Sequence, residues 1–432
     1  ITGGREENPE ILLLTAPPLQ TADCQIAPKS LDASPTLLAM SPPSAPQRVR
    51  RPPPALDDDA LSEIFLRLPP EDPKSLVRAS AVCATWRRVI LSDDGAFDRL
   101  YRAFHGAPPM LGFLQNTTLH AKGRSYLVSN FVSTATFRPP ACHERRRWRA
   151  LDSRHGLALF HTPDRAEDFV VCDLLTYDRW RIKASRECSH IISHDANSSA
   201  TTTWNAAVLC AKDRCDHLHC HGGPFLVALA GCDEGQGTTF ASVYSSQTRK
   251  WSRTVSILEP EGIDMAGHVA VAGGKAYFQC KHTVSIVEYD MGEQELAVID
   301  PRFDEEDRDL TYPLLMGVED DGMLLMATVS RPRLYLWSME VVSPSRAGDL
   351  SRCRVIELEP LLPPRALFAM SIVGFAEGIG VIFLSTEAGL YTVELSSGRS
   401  KKVQGVVSSS LGKLMPYMSF YTRAWGRSPT SE

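Results

Sequence analysis

Apolar positions fall into two regimes along the chain, and the change between them is abrupt. From Leu56 onward apolar residues recur at helical spacing: Leu61, Ile64, Phe65 and Leu68 sit at i, i+3, i+4 and i+7. Asp57, Asp58 and Asp59 crowd the first turn of that stripe, where the helix dipole favours anions. Pro69-Pro70 ends it. Asp72-Pro73 reads as a cap followed by proline at the first helical position, opening a second helix through Leu76, Val77 and Ser80. A third stripe runs Val82, Trp86, Val89 and Ile90. A fourth runs Phe97, Leu100, Tyr101 and Phe104, stopping near Gly106 and Pro108-Pro109. Four such short helices enclose little core of their own, so the unit is expected to dock on something.

After about residue 124 the helical period gives way to short apolar or alternating runs cut by Gly, Asp and Asn, the pattern of many short strands. Runs at 156–161, 168–176 and 178–183 form one series, and runs at 204–211, 225–232, 241–246 and 250–255 form a second. Three further series end near residues 300, 358 and 403. With Trp180, Trp251, Leu296, Val355 and Lys402 as markers of unit ends, the intervals are 71, 45, 59 and 47 residues. Four-stranded repeats of roughly 40–50 residues are the mark of a β-propeller. The segment 185–203, rich in Ser, His and Asn, supplies the insertion that the first interval needs. Strand-like stretches at 126–137 and 415–422 are left over at opposite ends, and pairing them would complete a composite sixth blade. The reading is therefore a multidomain α plus all-β chain with six blades, five or seven being the alternatives.

Composition then bounds the rest. Residues 1–54 carry 11 of the 30 prolines and read as an extended or disordered tail. The first methionine is Met40, and translation is expected to start there. The expected layout is a tail at 1–54, a helical domain at 55–95, a linker helix and loop at 96–124, a propeller-like domain at 125–425 and a short tail at 426–432. With 46 basic against 51 acidic residues and a net charge of −5, the chain has no broad footprint for nucleic acid or an anionic membrane. The 11 cysteines are odd in number and scattered, so a reducing compartment, cytoplasm or nucleus, is expected.

The segment from Leu56 to Pro69, with Leu76-Val77-Arg78 and Ala81-Val82-Cys83-Ala84-Thr85-Trp86-Arg87-Arg88-Val89-Ile90 behind it, closely resembles an F-box. In that family a Leu-Pro opening leads a helix, a Leu-Pro stop follows, and a Val-Cys-x-x-Trp-Arg motif comes next. Here Asp57 stands where the family has its opening proline. Leu151-Asp152-Ser153-Arg154-His155-Gly156-Leu157-Ala158-Leu159 and Val171-Cys172-Asp173 resemble the first blade of the propeller-like domain of plant F-box proteins. The string from Cys215 to Pro224 is similar to a segment recurring in grass members. The resemblance implies a non-catalytic substrate receptor of an SCF ubiquitin ligase. Its F-box would bind a Skp-type adaptor that links to a cullin scaffold, and the downstream domain would hold a target protein. The adaptor contact is expected from Leu56, Leu61, Ile64, Phe65, Leu68, Pro69, Leu76, Val82, Cys83, Trp86 and Ile90. The competing expectations are a propeller with an enzymatic or metal-binding role, and a divergent F-box paralogue outside any ligase.

Candidate chemistry is sparse. No Gly-x-Ser-x-Gly elbow or zinc-protease helix occurs, and Gly273-Gly274-Lys275 lacks the spacing of a phosphate loop and reads as a hairpin turn. Arg145-Arg146-Arg147-Trp148-Arg149 reads as a solvated basic loop. Cys210, Cys215, His217, His219, Cys220 and His221 bring soft ligands into a short stretch. The order lacks a CxxC or HxxxH pair, so a polar loop is the reading and no cofactor is expected. Cys215, His217, His219 and Cys220 are the candidates should a metal bind.

Overall fold

Four helices open the described part of the chain: α1 (Asp58–Leu66), α2 (Pro73–Val82), α3 (Ala84–Ile90) and α4 (Ala96–His105). The computed structural model describes residues 56–421 except 92–93, 122–123, 136, 140–147, 163–167, 186, 193–201, 213–214, 216, 218–219, 221–222, 260, 303–313, 319–322, 331, 341–346, 405 and 407–411. The chain divides after Ala55, and the tail expected at 1–54, with its start at Met40, lies outside the described residues, as does 426–432. Asp57 caps α1, its Oδ1 accepting from the Ala60 amide at 2.8 Å. Pro73 opens α2 as expected, but Asp72 holds the Ser75 hydroxyl at 2.7 Å instead of a backbone amide. The helices pack Leu61, Phe65, Leu76, Ala79, Ile90, Phe97 and Tyr101 into one small core.

The strands follow in chain order. β1 (Met110–Ala121) and β2 (Arg124–Ser133) form a hairpin; β3 (Arg149–Arg154), β4 (Leu157–His161), β5 (Asp168–Asp173) and β6 (Arg179–Lys183) form a sheet in that order. Past the single-turn helix α5 (Ser189–Ile192) come β7 (Thr202–Cys210), β8 (Phe225–Asp233), β9 (Thr238–Ser245) and β10 (Lys250–Trp251), with β11 (Val255–Ile257) also paired to β9. β12 (Val269–Ala272), β13 (Lys275–Gln279), β14 (Ile286–Asp290) and β15 (Glu295–Arg302) are half of an eight-stranded sheet. Its other half is β16 (Leu314–Val318), β17 (Leu324–Ser330), β18 (Arg333–Met339) and β19 (Ala347–Glu357), joined by a short parallel pairing of β15 with β19. The ends of that sheet, β12 and β16, are neighbours, so it is nearly closed. β20 (Ser371–Ala376), β21 (Val381–Thr386), β22 (Gly389–Glu394) and β23 (Ser400–Lys402) form a last antiparallel sheet. β24 (Leu414–Met418) then returns to pair with β1, giving the order β2-β1-β24.

The first strands of successive sheets are side by side: β3 with β7, β7 with β12, β12 with β16, β16 with β20, β20 with β24, and β24 with β3. Six apolar layers lie between consecutive four-stranded units and the β2-β1-β24 sheet. The central strands therefore face two cores. On β8, Val227 and Leu229 point into one layer, while Ala228 and Ala230 point into the next, which is why such strands read as continuous apolar runs. Polar ties join the inner strands: Lys413 Nζ donates to Leu151 O at 3.0 Å and Gly267 O at 2.8 Å, and Arg154 bonds Asp152, Glu377 and Val269 O. The Gly273-Gly274 turn between β12 and β13 has φ +57° and +80°, a backbone that glycine accepts at no steric cost.

Two expectations need correction. The segment 96–124, read as linker helix and loop, does hold α4, but it then runs straight into β1, the direct partner of β24. The polar tail of β1 (Asn116, Thr117, Thr118) hides its strand character, and Gly112 sits at its centre because a Cβ there would meet Val132 O at 2.4 Å. Arg149 and Trp148 are also not solvated: Trp148 is buried, and Arg149 lies over the Trp204 ring and donates to Met265 O at 2.9 Å. Arg145, Arg146 and Arg147 fall outside the described residues.

Candidate functional site

The helical unit presents two kinds of apolar residue. Leu61, Phe65, Leu76 and Ile90 are buried in its own core. In the chain by itself these four side chains, expected in the adaptor contact, face the interior of the helical unit. They shape the surface from beneath. Leu68 and Trp86 are half-buried against that core, with the Trp86 ring edge-on to Phe65 at 5.1 Å. Leu56 (53% exposed), Ile64 (49%), Val77 (40%) and Val82 (61%) face solvent, as do Pro69 and Cys83. Helical spacing separates these sets: on α1, Leu61 and Phe65 turn inward while Ile64 turns out.

Ion pairs border this apolar surface. Arg88 pairs with Asp58 at 2.8 Å, and Arg67 pairs with Glu63 one turn away. Both are exposed pairs, contributing about 0–1 kcal/mol each, so they set charge pattern more than stability. The Asp57 cap, by contrast, contributes about 1 kcal/mol and starts α1 where the family pattern uses proline.

One contributor to this unit had no signal in the helical stripes. Phe420, just past β24, is buried in the helical core, at 6.2 Å from the Tyr101 ring and under the Arg102 guanidinium. Tyr101 also donates to Leu68 O at 2.8 Å, and burial pushes its hydroxyl pKa upward. The expected need for docking is thus met by the β region's own C-terminal segment, while Leu100 and Phe104 of the fourth stripe face outward.

These helices have a counterpart among known families. Residues 54–96 match the F-box domain family. The chain carries an F-box domain. No curated protein matches the sequence. Among solved structures, the chain is similar to one in a crystal structure of the mitotic checkpoint complex, with 10% identity over 58% of this chain and 61% of that one, at a TM-score of 0.31. It thus spans about three fifths of that chain's length. An oligogalacturonate lyase in complex with manganese shows 9% identity over 65% of this chain and 70% of that one, at a TM-score of 0.35. Neither score establishes a shared fold.

A second cluster lies at one end of the β7–β8 hairpin. The ligand atoms of Cys210, Cys215, His217 and Cys220 all fall within 4.8 Å of one another. Burial pushes the Cys220 thiol pKa up. His219 and His221, also singled out from the sequence, lie outside the described residues. Cys210 was missing from the four metal candidates because it ends a strand, away from the loop that carries the rest.

Proposed function

We propose that this chain is the substrate-recognition subunit of an SCF-type ubiquitin ligase, of the plant, grass-type group that its Cys215–Pro224 string resembles. The F-box binds a Skp-type adaptor, and through it the cullin scaffold. The β region, read as a six-bladed propeller, holds a target protein. The chain itself performs no catalysis and works in the cytoplasm or nucleus.

The observation that carries this reading is the F-box match at 54–96 together with the solvent-facing Leu56, Ile64, Val77 and Val82. An apolar surface on so small a unit is what a protein interface needs at its core. The ring of neighbouring inner strands, closed between β24 and β3, supports the propeller reading. Among the described residues no helix is long and apolar enough to cross a membrane.

The test is co-expression of the full chain with a Skp-type adaptor. Co-purification is expected, and the double substitution Ile64→Asp with Val82→Asp is expected to abolish it while leaving the melting temperature unchanged, because both side chains are exposed. Adaptor binding that survives this double substitution would sink the assignment of the surface. Failure of the unmodified chain to bind any Skp-type adaptor would sink the function.

A further inference from the structure

The β7–β8 connection is long for a hairpin. Cys210 pairs with Phe225 at the last rung, leaving residues 211–224 as the loop, where roughly two to five residues are usual. The segment Ala211-Lys212-Asp213-Arg214-Cys215-Asp216-His217-Leu218-His219-Cys220-His221-Gly222-Gly223-Pro224 has almost no apolar mass with which to offset the entropy of ordering it. Its base is closed by the Ala211 amide donating to Pro224 O at 3.0 Å, and the Gly223 amide donates to Cys220 O at 2.8 Å.

Between those limbs, three thiols and one imidazole converge. Cys210 comes from the end of β7, Cys215 and His217 from the outgoing limb, and Cys220 from the returning limb. Cys220 Sγ lies 3.8 Å from His217 Nδ1, and none of the three cysteines is in a disulfide. A tetrahedral zinc ion, with Zn–S near 2.3 Å and Zn–N near 2.0 Å, holds its ligand atoms about 3.5–3.8 Å apart. The observed limit of 4.8 Å is therefore within about one ångström of side-chain adjustment of that tetrahedron. Three thiolates and one imidazole are a donor set of structural zinc sites, and their softness disfavours magnesium, calcium and manganese.

The surroundings are built as an outer shell would be. The Lys212 amide donates to Cys210 Sγ at 3.4 Å, which orients the sulfur. The His155 ring, on the turn between β3 and β4, stacks on His217 with centroids 4.0 Å apart and planes 21° from parallel. Cys220 is buried, while Cys215 is partly exposed. The missing CxxC spacing is no obstacle, since the ligands come from a strand end and both limbs of a loop.

We propose that Cys210, Cys215, His217 and Cys220 bind one structural zinc ion that clamps loop 211–224 onto the end of β7. The site is independent of whether the chain joins a ligase. Binding would displace thiol protons and replace apolar burial as the force that orders the loop.

The full chain, purified under reducing conditions without chelator, should contain about one zinc per chain by elemental analysis. Cobalt(II) added to the metal-stripped protein should give the strong visible bands and thiolate charge-transfer absorption of a tetrahedral site. Cys215→Ser and Cys220→Ser should each lose most of the zinc and the cobalt bands, with Cys83→Ser and Cys353→Ser as controls that keep both. Should a loop variant fail to fold, the cobalt spectrum of the unsubstituted chain still decides. Substoichiometric zinc in reduced, zinc-supplemented protein, a weak octahedral cobalt spectrum, or zinc retained in the Cys215→Ser, Cys220→Ser double variant would each overturn the proposal.

Discussion

Phe420 lies far from the F-box in sequence and inside it in space, so Phe420→Ala tests whether the helices depend on the β region. The side chain is 1% exposed, packed on Tyr101 and beneath Arg102. A buried Phe→Ala change costs about 3–5 kcal/mol through lost burial and the cavity left behind. A core of this size, below roughly 70–80 residues, supplies only about 3–5 kcal/mol in total. The substitution therefore removes about as much as the helical unit holds. The expected result is local opening of α1 to α4, with the sheets intact. Each 1.4 kcal/mol is tenfold in an equilibrium constant, so amide exchange in α1 and α4 should accelerate about a hundredfold or more. Exchange in β7 and β8 should not change. Peptide-resolved hydrogen exchange by mass spectrometry reads both at once. A folded variant whose α1 and α4 amides exchange at the unmodified rate would refute the dependence.

Two further predictions follow from buried positions. Gly112→Ala forces a methyl against Val132 O and the Phe131 ring in the middle of β1, and it should cost about 1–3 kcal/mol as overpacking, read from the denaturant midpoint. His161, buried against Trp204 and beside Arg149, has its pKa lowered to about 4 by burial first and by the arginine second. Below its ordinary value of 6.5 the unfolded chain takes up a proton that the folded chain refuses. Stability should therefore fall as pH drops from about 6.5 to about 4, by up to about 3 kcal/mol from this group. His161→Gln should flatten that part of a pH series of urea midpoints, and parallel slopes would count against the assignment.

Much of the fold was legible because most strands are buried on both faces. The run at 225–232 lies within β8, since continuous apolar residues need no knowledge of which side is the core. The four helices were legible from their stripes and from the Asp and Pro punctuation around them. β1 was not, because its second half is polar and its partner β24 comes from the other end of the region. The exposed apolar surface of the helical unit was half legible. Periodicity finds the apolar residues but not which are needed inside, and the answer depends on Phe420, which no local pattern links to the helices. The convergence of Cys210 with Cys215, His217 and Cys220 is tertiary in the same way: a test on linear spacing measures the wrong distance.

The closing sheet also sets an order of events on the ribosome. Gly112 pairs with Tyr417, so β1 emerges early and then waits for β24 while the intervening sheets are made. At about 5–20 residues per second that wait lasts tens of seconds. During it β1 has one open edge and the F-box lacks Phe420. Such non-local pairing makes for slow folding and an exposed strand edge. Until β24 and Phe420 arrive, the closing sheet and the core of the helical unit are both incomplete, and the same few residues complete the two together.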